Sequence, residues 1–81
     1  MPAAVRVGDH GLRGSTAVSG SPDVFINDTP VMRLGDAWSH GASSSGSSTV
    51  FVNDLPICRI GDSISNGETM VTGSTDVFIE D

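Results

Sequence analysis

The chain has 81 residues and a formal charge of -6, which allows one domain but not a large hydrophobic core. Its four basic residues are all arginines, and such an acidic chain is a poor nucleic-acid binder because phosphate affinity depends on clustered Lys and Arg. A single cysteine excludes an intrachain disulfide. The sequence has no apolar run long enough to span a membrane and no secretory signal at its start, so we expect synthesis in the cytoplasm.

The most regular feature is a segment that occurs twice. Residues 24–41 and 50–67 align without a gap at an offset of 26. The chain begins with the back of a third copy, residues 3–11, and ends with its front, residues 77–81. This division predicts three units that close into a ring in which the two termini meet. We therefore expect a single domain over residues 1–81, with no effector extension.

Each unit predicts two short strands around a tight turn. A Gly-Ser turn precedes a Val-Phe-Ile strand, and a Pro-x-x-Arg-x-Gly-Asp strand leads into a glycine-ended loop. Alternation and β-branched residues indicate the strands, and the pairs Asn27-Asp28 and Asn53-Asp54 mark hairpin turns. Helical periodicity is absent and glycine and serine are frequent. The sequence thus predicts an all-β fold, a small pseudo-threefold β-prism built from three units of about 26 residues.

An arginine and an aspartate recur three residues apart in every unit. The pairs are Arg6 with Asp9, Arg33 with Asp36, and Arg59 with Asp62. Each carboxylate is expected to pair with an arginine fork or to cap a turn through backbone N–H groups. The glycine between them is expected at positive φ or in a tightly packed position. We interpret this motif as structural.

Two histidines and the lone thiol are the candidate metal ligands. His10 and His40 each precede a glycine, and we expect them at the same repeat position, which Asn66 occupies in the third unit, so that the three side chains converge. Cys58 occupies the repeat position of two apolar residues and is expected to point inward. Together His10, His40 and Cys58, with Asn66 or water, would complete a tetrahedral zinc site, with iron as the second choice. The alternative is that the histidines are surface loop residues and Cys58 is a small core residue.

The motifs together resemble the PAAR-repeat family over essentially the whole chain. They are the opening PAAVRVGD, the repeated Pro-Val-x-Arg-x-Gly-Asp, the Gly-Asp-x-x-x-His-Gly loop and the Gly-Ser-x-x-Val-Phe strand. The resemblance implies a conical domain whose base sits on a trimeric β-helical spike, one copy per trimer, as on a VgrG-like or phage central spike protein. It also implies a sharpened tip that often holds zinc and helps pierce the target envelope, with transient membrane contact. Such tips belong to phage tails, pyocins and type VI secretion systems, so the chain is expected at a virion tail tip or exported with an injection machine.

Two departures from the family pattern concern the metal. Family members commonly present three histidines and a cysteine, whereas this chain has two histidines. Its cysteine also precedes the Gly-Asp pair and does not lie in the loop after it. His10 and His40 therefore match the pattern better than Cys58 does.

The aromatic residues give the candidate partner surface. Phe25, Phe51 and Phe78 are repeat-equivalent and alternate with Val and Ile. If the aliphatic residues face the core, the phenylalanines face outward and bind the partner; the alternative is the reverse. Trp38 lies in the His40 loop and is expected to pack inside; the alternatives are that it shields this loop or that it contacts membrane.

Two other functions remain open from the sequence. A small metalloenzyme needs an open coordination position and a general base. The acids nearest the two histidines are expected to pair with arginines, so the sequence offers no general base beside either histidine. A threefold carbohydrate- or calcium-binding module has little support, since the glycine-rich β-roll pattern is absent and aromatic residues are few. The chain is therefore expected not to be an enzyme.

Overall fold

The computed structural model describes residues 1–80, and these form a small all-strand fold. Six two-residue strands pair into three antiparallel sheets, β1 with β2, β3 with β4, and β5 with β6. Their bounds are β1 Phe25–Ile26, β2 Thr29–Pro30, β3 Ala37–Trp38, β4 Gly41–Ala42, β5 Phe51–Val52 and β6 Leu55–Pro56. No helix occurs in residues 1–80, and hence none that could cross a membrane. The prediction of an all-β fold without helices is confirmed at this level.

Two of the three sheets are hairpins closed by Asn-Asp pairs. In the β1–β2 hairpin, Ile26 pairs with Thr29, and Asn27 and Asp28 between them adopt φ of 54° and 62°. Asn53 and Asp54 close the β5–β6 hairpin with φ of 53° and 66°. Positive φ at both turn residues is the type I′ geometry, whose twist matches that of the strands and which Asn and Asp tolerate. The predicted hairpin turns are therefore confirmed.

The three segments around the Arg-x-Gly-Asp motifs are joined by a closed cycle of backbone hydrogen bonds. Val5 N donates to Cys58 O, Met32 N donates to Val5 O, and Cys58 N donates to Met32 O, at 3.0–3.1 Å. Each segment gives one N–H and one C=O to the cycle, so the removal of any segment leaves two polar groups without partners. We call these three hydrogen bonds the backbone cycle.

The first residues of the chain lie against its last described ones. Ala4 N donates to Val77 O at 3.0 Å, and Ile79 N donates to Pro2 O at 2.8 Å. Ala3 also bridges Phe78 in antiparallel fashion. The beginning and the described end of the chain are therefore hydrogen-bonded to each other. Asp81, which ends the predicted third copy, lies outside the described residues.

Hydrophobic residues form two clusters on either side of the backbone cycle. Consecutive residues of each central segment alternate between them, which is the period-two pattern of extended chain. The hairpin-side cluster contains Ala4, Val31, Val52, Ile57 and Ile79. The loop-side cluster contains Val5, Ala17, Met32, Trp38, Cys58, Ile64 and Met70. A chain this short thus divides its core into two thin layers.

Each of the three segments contains an ion pair between its arginine and the aspartate three positions later, as predicted. Arg33 Nε donates to Asp36 Oδ2 at 2.8 Å and its Nη2 donates to Oδ1 at 3.0 Å, while Arg33 N also donates to Oδ2 at 2.9 Å. The pairs Arg6–Asp9 and Arg59–Asp62 make the same contacts. The intervening glycine has φ near +90° in each case, between 89° and 100°. Each carboxylate is therefore bound by a guanidinium fork and a turn N–H together.

We predict that Gly73→Ala unfolds the chain at a markedly lower temperature. A Cβ at Gly73 would stand 2.5 Å from Ala4 O, where the end of the chain meets its beginning. The backbone carbonyl has no free rotation to escape, so the cost should be at least about 2 kcal/mol, the middle of the usual range for overpacking. Each kcal/mol lowers Tm by roughly 4–8 °C in a domain of this size.

Thermal unfolding followed by circular dichroism measures the Gly73→Ala effect. Val18→Ala is the control, because that side chain is 57% exposed and its truncation removes little packing. An unchanged Tm for Gly73→Ala would show that the junction of the two ends is looser than the structure indicates.

Candidate functional site

The loops on the loop-side cluster meet in a polar group of four residues. Asn66 Nδ2 donates to Glu68 Oε1 at 2.7 Å, and Glu68 N donates to Asn66 Oδ1 at 3.0 Å. Ser15 Oγ lies 3.4 Å from Asn66 Nδ2 and 3.2 Å from His40 Nδ1. These four residues come from three different loops. We call them the loop-end network.

Glu68 organises the loop-end network. Its side chain is almost fully buried, and its Oε2 accepts hydrogen bonds from Arg13 N and Ser15 N, on either side of Gly14. The Ser15 and Asn66 side chains, with these backbone N–H groups, lower the pKa of Glu68 to about 2. The carboxylate is thus ionised at neutral pH and is held by neutral donors, without an arginine fork. Sequence reasoning missed Glu68 because it recurs in no other unit.

His10 and His40 do not occupy the same position in their units. The N–H of His10, Ala37 and Ser63 each donates to a hydroxyl oxygen, that of Thr72, Ser19 and Ser45 respectively, at 2.8–2.9 Å. These three residues are therefore equivalent, and at the next position Gly11, Trp38 and Ile64 are equivalent. Two positions further along the chain, Arg13 and Asn66 are the residues equivalent to His40. The predicted equivalence of His10 with His40 is wrong, because the two His-Gly pairs follow their Gly-Asp motifs at different distances.

Cys58 lies in the loop-side cluster and is fully buried, as its apolar repeat partners predict. Its Sγ donates to Ser45 O at 3.7 Å. Burial raises the pKa of the thiol to about 11, against a smaller opposing effect of a hydrogen bond with Ser43. Without a metal nearby, Cys58 is therefore a protonated thiol, whereas a metal ligand must be a thiolate.

The structure does not gather the three predicted metal ligands. His10 and His40 have exposed side chains, whereas Cys58 has none of its surface exposed. Residues 1–80 contain no group of three or more His, Cys, Asp or Glu side chains placed to hold a metal ion. The residues as they stand do not present a donor set for zinc, and a zinc site on His10, His40 and Cys58 stays a prediction.

Trp38 packs inside and does not face solvent. It is 4% exposed, and its Nε1 donates to Ser43 Oγ at 2.8 Å. The packing interpretation of Trp38 is confirmed, and its ring fills the loop-side cluster beside Cys58.

The three predicted partner-binding side chains share one environment. Phe25, Phe51 and Phe78 are 54%, 54% and 48% exposed. The neighbouring Ile26, Val52 and Ile79 pack on the hairpin-side cluster, with Val50 and Val77. The outward orientation of the phenylalanines is therefore confirmed, except that Val24 is itself 37% exposed and does not join the cluster. We call the exposed surface around these rings the phenylalanine face.

Comparison with known proteins gives no relative: no protein-family model matches the chain, and no curated protein matches it either.

We predict that Glu68→Gln lowers stability at neutral pH, and that its effect disappears in acid. The folded pKa of Glu68 lies below the usual value of 4.5, so its contribution is complete above that value and is lost as the pH falls toward 2. The Tm difference between wild type and Glu68→Gln should therefore shrink as the pH is lowered from about 6 to about 2.

Thermal unfolding across this pH range is the measurement. At each pH the Tm of the variant is subtracted from that of wild type. The difference excludes the effect of carboxylates that both proteins share, among them Asp62, whose pKa is also lowered. A Tm difference that stays constant with pH would mean that the ionised state of Glu68 does not hold the loops.

Proposed function

We propose that this chain caps a trimeric β-helical spike and forms the tip of a contractile injection machine. The observation that carries the proposal is the phenylalanine face, on which three repeat-related aromatic rings stay exposed while their neighbours fill the core. A monomer of 81 residues has no need to expose three such rings, and exposed apolar groups at related positions are typical of a protein interface.

A cap of this kind needs three similar faces on one chain. The proposal takes the domain to be a pseudo-threefold β-prism, in which each unit meets one chain of the trimer. Its support is the backbone cycle and the three arginine–aspartate pairs, which join equivalent residues by equivalent contacts. The domain measures 24 × 23 × 23 Å, so a cone of these dimensions would be about as tall as it is wide.

The proposed mechanism is mechanical and non-enzymatic. The hairpins would hold the spike, and the loops would meet the target envelope in a transient contact when the sheath contracts. Such a tip needs loops that resist deformation without a large core beneath them. Buried hydrogen bonds from three loops to Glu68, Asn66 and Ser15 would supply that resistance.

The spike-cap proposal predicts a complex of one chain with one spike trimer. The probe is the trimeric β-helical spike protein encoded in the same gene cluster, mixed with this chain and measured by native mass spectrometry and by surface binding. Phe25→Ala with Phe51→Ala should weaken binding by at least about 100-fold, since buried aromatic anchors contribute most of the energy of an interface.

The control for the aromatic variant is Leu12→Ala, which truncates a side chain that is 67% exposed and lies away from the hairpins. The two phenylalanines are half exposed, so the double variant should keep its fold and Tm. A wild-type chain that fails to bind the trimer, or that binds sugar or calcium and no spike, would contradict the proposed function.

Zinc is the second part of the proposal, with His10, His40 and Cys58 as ligands and iron as the alternative metal. Chain purified without chelator should contain about one equivalent of metal by elemental analysis, and its Tm should fall when the metal is removed. Cys58→Ser should lower both the metal content and the Tm.

Less than roughly a tenth of an equivalent of any transition metal would disprove the metal site but not the fold. If Cys58→Ser leaves metal content and Tm unchanged, Cys58 is a core residue and no ligand.

A further inference from the structure

The net charge of the chain is concentrated around the phenylalanine face. The chain has ten acidic residues, and three of them are paired with arginines. Glu68 is bound in the loop-end network, and in the sum of formal charges its negative charge is balanced by the fourth arginine, Arg13. The remaining six equal the entire formal charge of -6. Each lies within three positions of a phenylalanine: Asp23, Asp28, Asp54, Asp76, Glu80 and Asp81. Asp81 belongs to this count by sequence position alone.

Hydrogen bonds between units connect these acids from one hairpin to the next. Asn53 Nδ2, in one hairpin turn, donates to Asp23 Oδ1 at 2.9 Å, just ahead of the strand that carries Phe25. Asn27 Nδ2 donates to Asp76 Oδ1 at 2.9 Å, just ahead of Phe78. The acid that precedes one phenylalanine therefore lies beside the turn that follows another.

Two acids of the phenylalanine face, Asp23 and Asp76, have a lowered pKa. A hydrogen bond from Asn53, and to a smaller extent one from Ser21, lowers the pKa of Asp23. Hydrogen bonds from Asn27 and, to a smaller extent, from Ser74 lower the pKa of Asp76. Asp28 and Asp54 occupy the exposed hairpin turns. The nearby guanidinium groups of Arg6 and Arg33 already form ion pairs with Asp9 and Asp36.

We infer that the phenylalanine face binds a protein end whose apolar centre is surrounded by lysine and arginine. The inference rests on the proposed function and adds the chemistry of the partner. Opposite charges around an apolar contact speed association and select the partner, since like charges that face each other repel. For the same reason a second copy of this chain does not fit as the occupant, because it would bring its own five described acids against the first five.

The test removes charge from the face without changing its shape. The double variant Asp28→Asn with Asp54→Asn keeps two residues that tolerate positive φ. Its control is Leu12→Lys with Val18→Lys, which makes the same change in net charge at two exposed apolar positions outside the hairpins. Binding of both variants to the spike trimer from the same gene cluster is measured at about 50 and about 500 mM NaCl.

We expect the asparagine variant to bind at least about 10-fold more weakly at low salt, with a smaller loss at high salt, because added ions screen the wild-type attraction. The lysine control should bind like wild type. Unchanged binding by the asparagine variant, while Phe25→Ala with Phe51→Ala still abolishes it, would overturn the charge inference and leave the proposed function intact. Asparagine variants that self-associate without any loss of spike affinity would likewise overturn it, since the acids would then serve only to prevent aggregation. A spike that does not bind wild type disproves both.

Discussion

The backbone cycle of Val5, Met32 and Cys58 is the constraint on which the rest of the molecule depends. Three hydrogen bonds of 3.0–3.1 Å hold three extended segments whose side chains fill two separate clusters. In the described part of the chain no strand exceeds two residues, so neither a long sheet nor a helix supplies the backbone pairing of an ordinary domain there. A buried N–H or C=O without a partner is costly, and the cycle satisfies six of these groups at the point where the chain is most enclosed.

Because the core is thin, buried polar groups contribute much of the order around it. Within residues 1–80, no buried side-chain N or O atom lacks a hydrogen-bond partner. Aspartates at the Arg-x-Gly-Asp turns and Glu68 in the loops are carboxyl groups held by several donors each. Such networks give a specific arrangement when every member is satisfied, and they weaken together when one member is lost. The loops of this chain are therefore ordered by hydrogen bonding as well as by burial of apolar residues such as Trp38, Ile64 and Met70.

The sequence predicted those features that repeat, and it failed where the units diverge. The Asn-Asp turns, the arginine–aspartate pairs and the outward phenylalanines each depend on local geometry or on alternation. The first of these patterns occurs in two copies and the other two in three. Their shared position before glycine suggests that His10 and His40 are equivalent, yet His10 directly follows Gly8-Asp9, whereas three residues separate His40 from Gly35-Asp36. A shared dipeptide does not show which of two glycines in a loop is the equivalent one. Glu68 was missed because its partners, Arg13 and Ser15, are more than fifty positions away in the chain.

The two sides of the molecule therefore obey different constraints. On the hairpin side all three units carry the same Val-Phe pair and, in the sequence, an aspartate three positions after the phenylalanine, and two of the units have hairpin turns of the same type. On the loop side the equivalent positions hold Arg13, His40 and Asn66, which differ in charge and hydrogen bonding. A threefold partner would require its three contacts to be alike, while a side that meets no symmetric partner is free to differ from unit to unit. The internal divergence thus agrees with a symmetric assembly contact on the phenylalanine face, and it assigns the chain-specific chemistry to the loops.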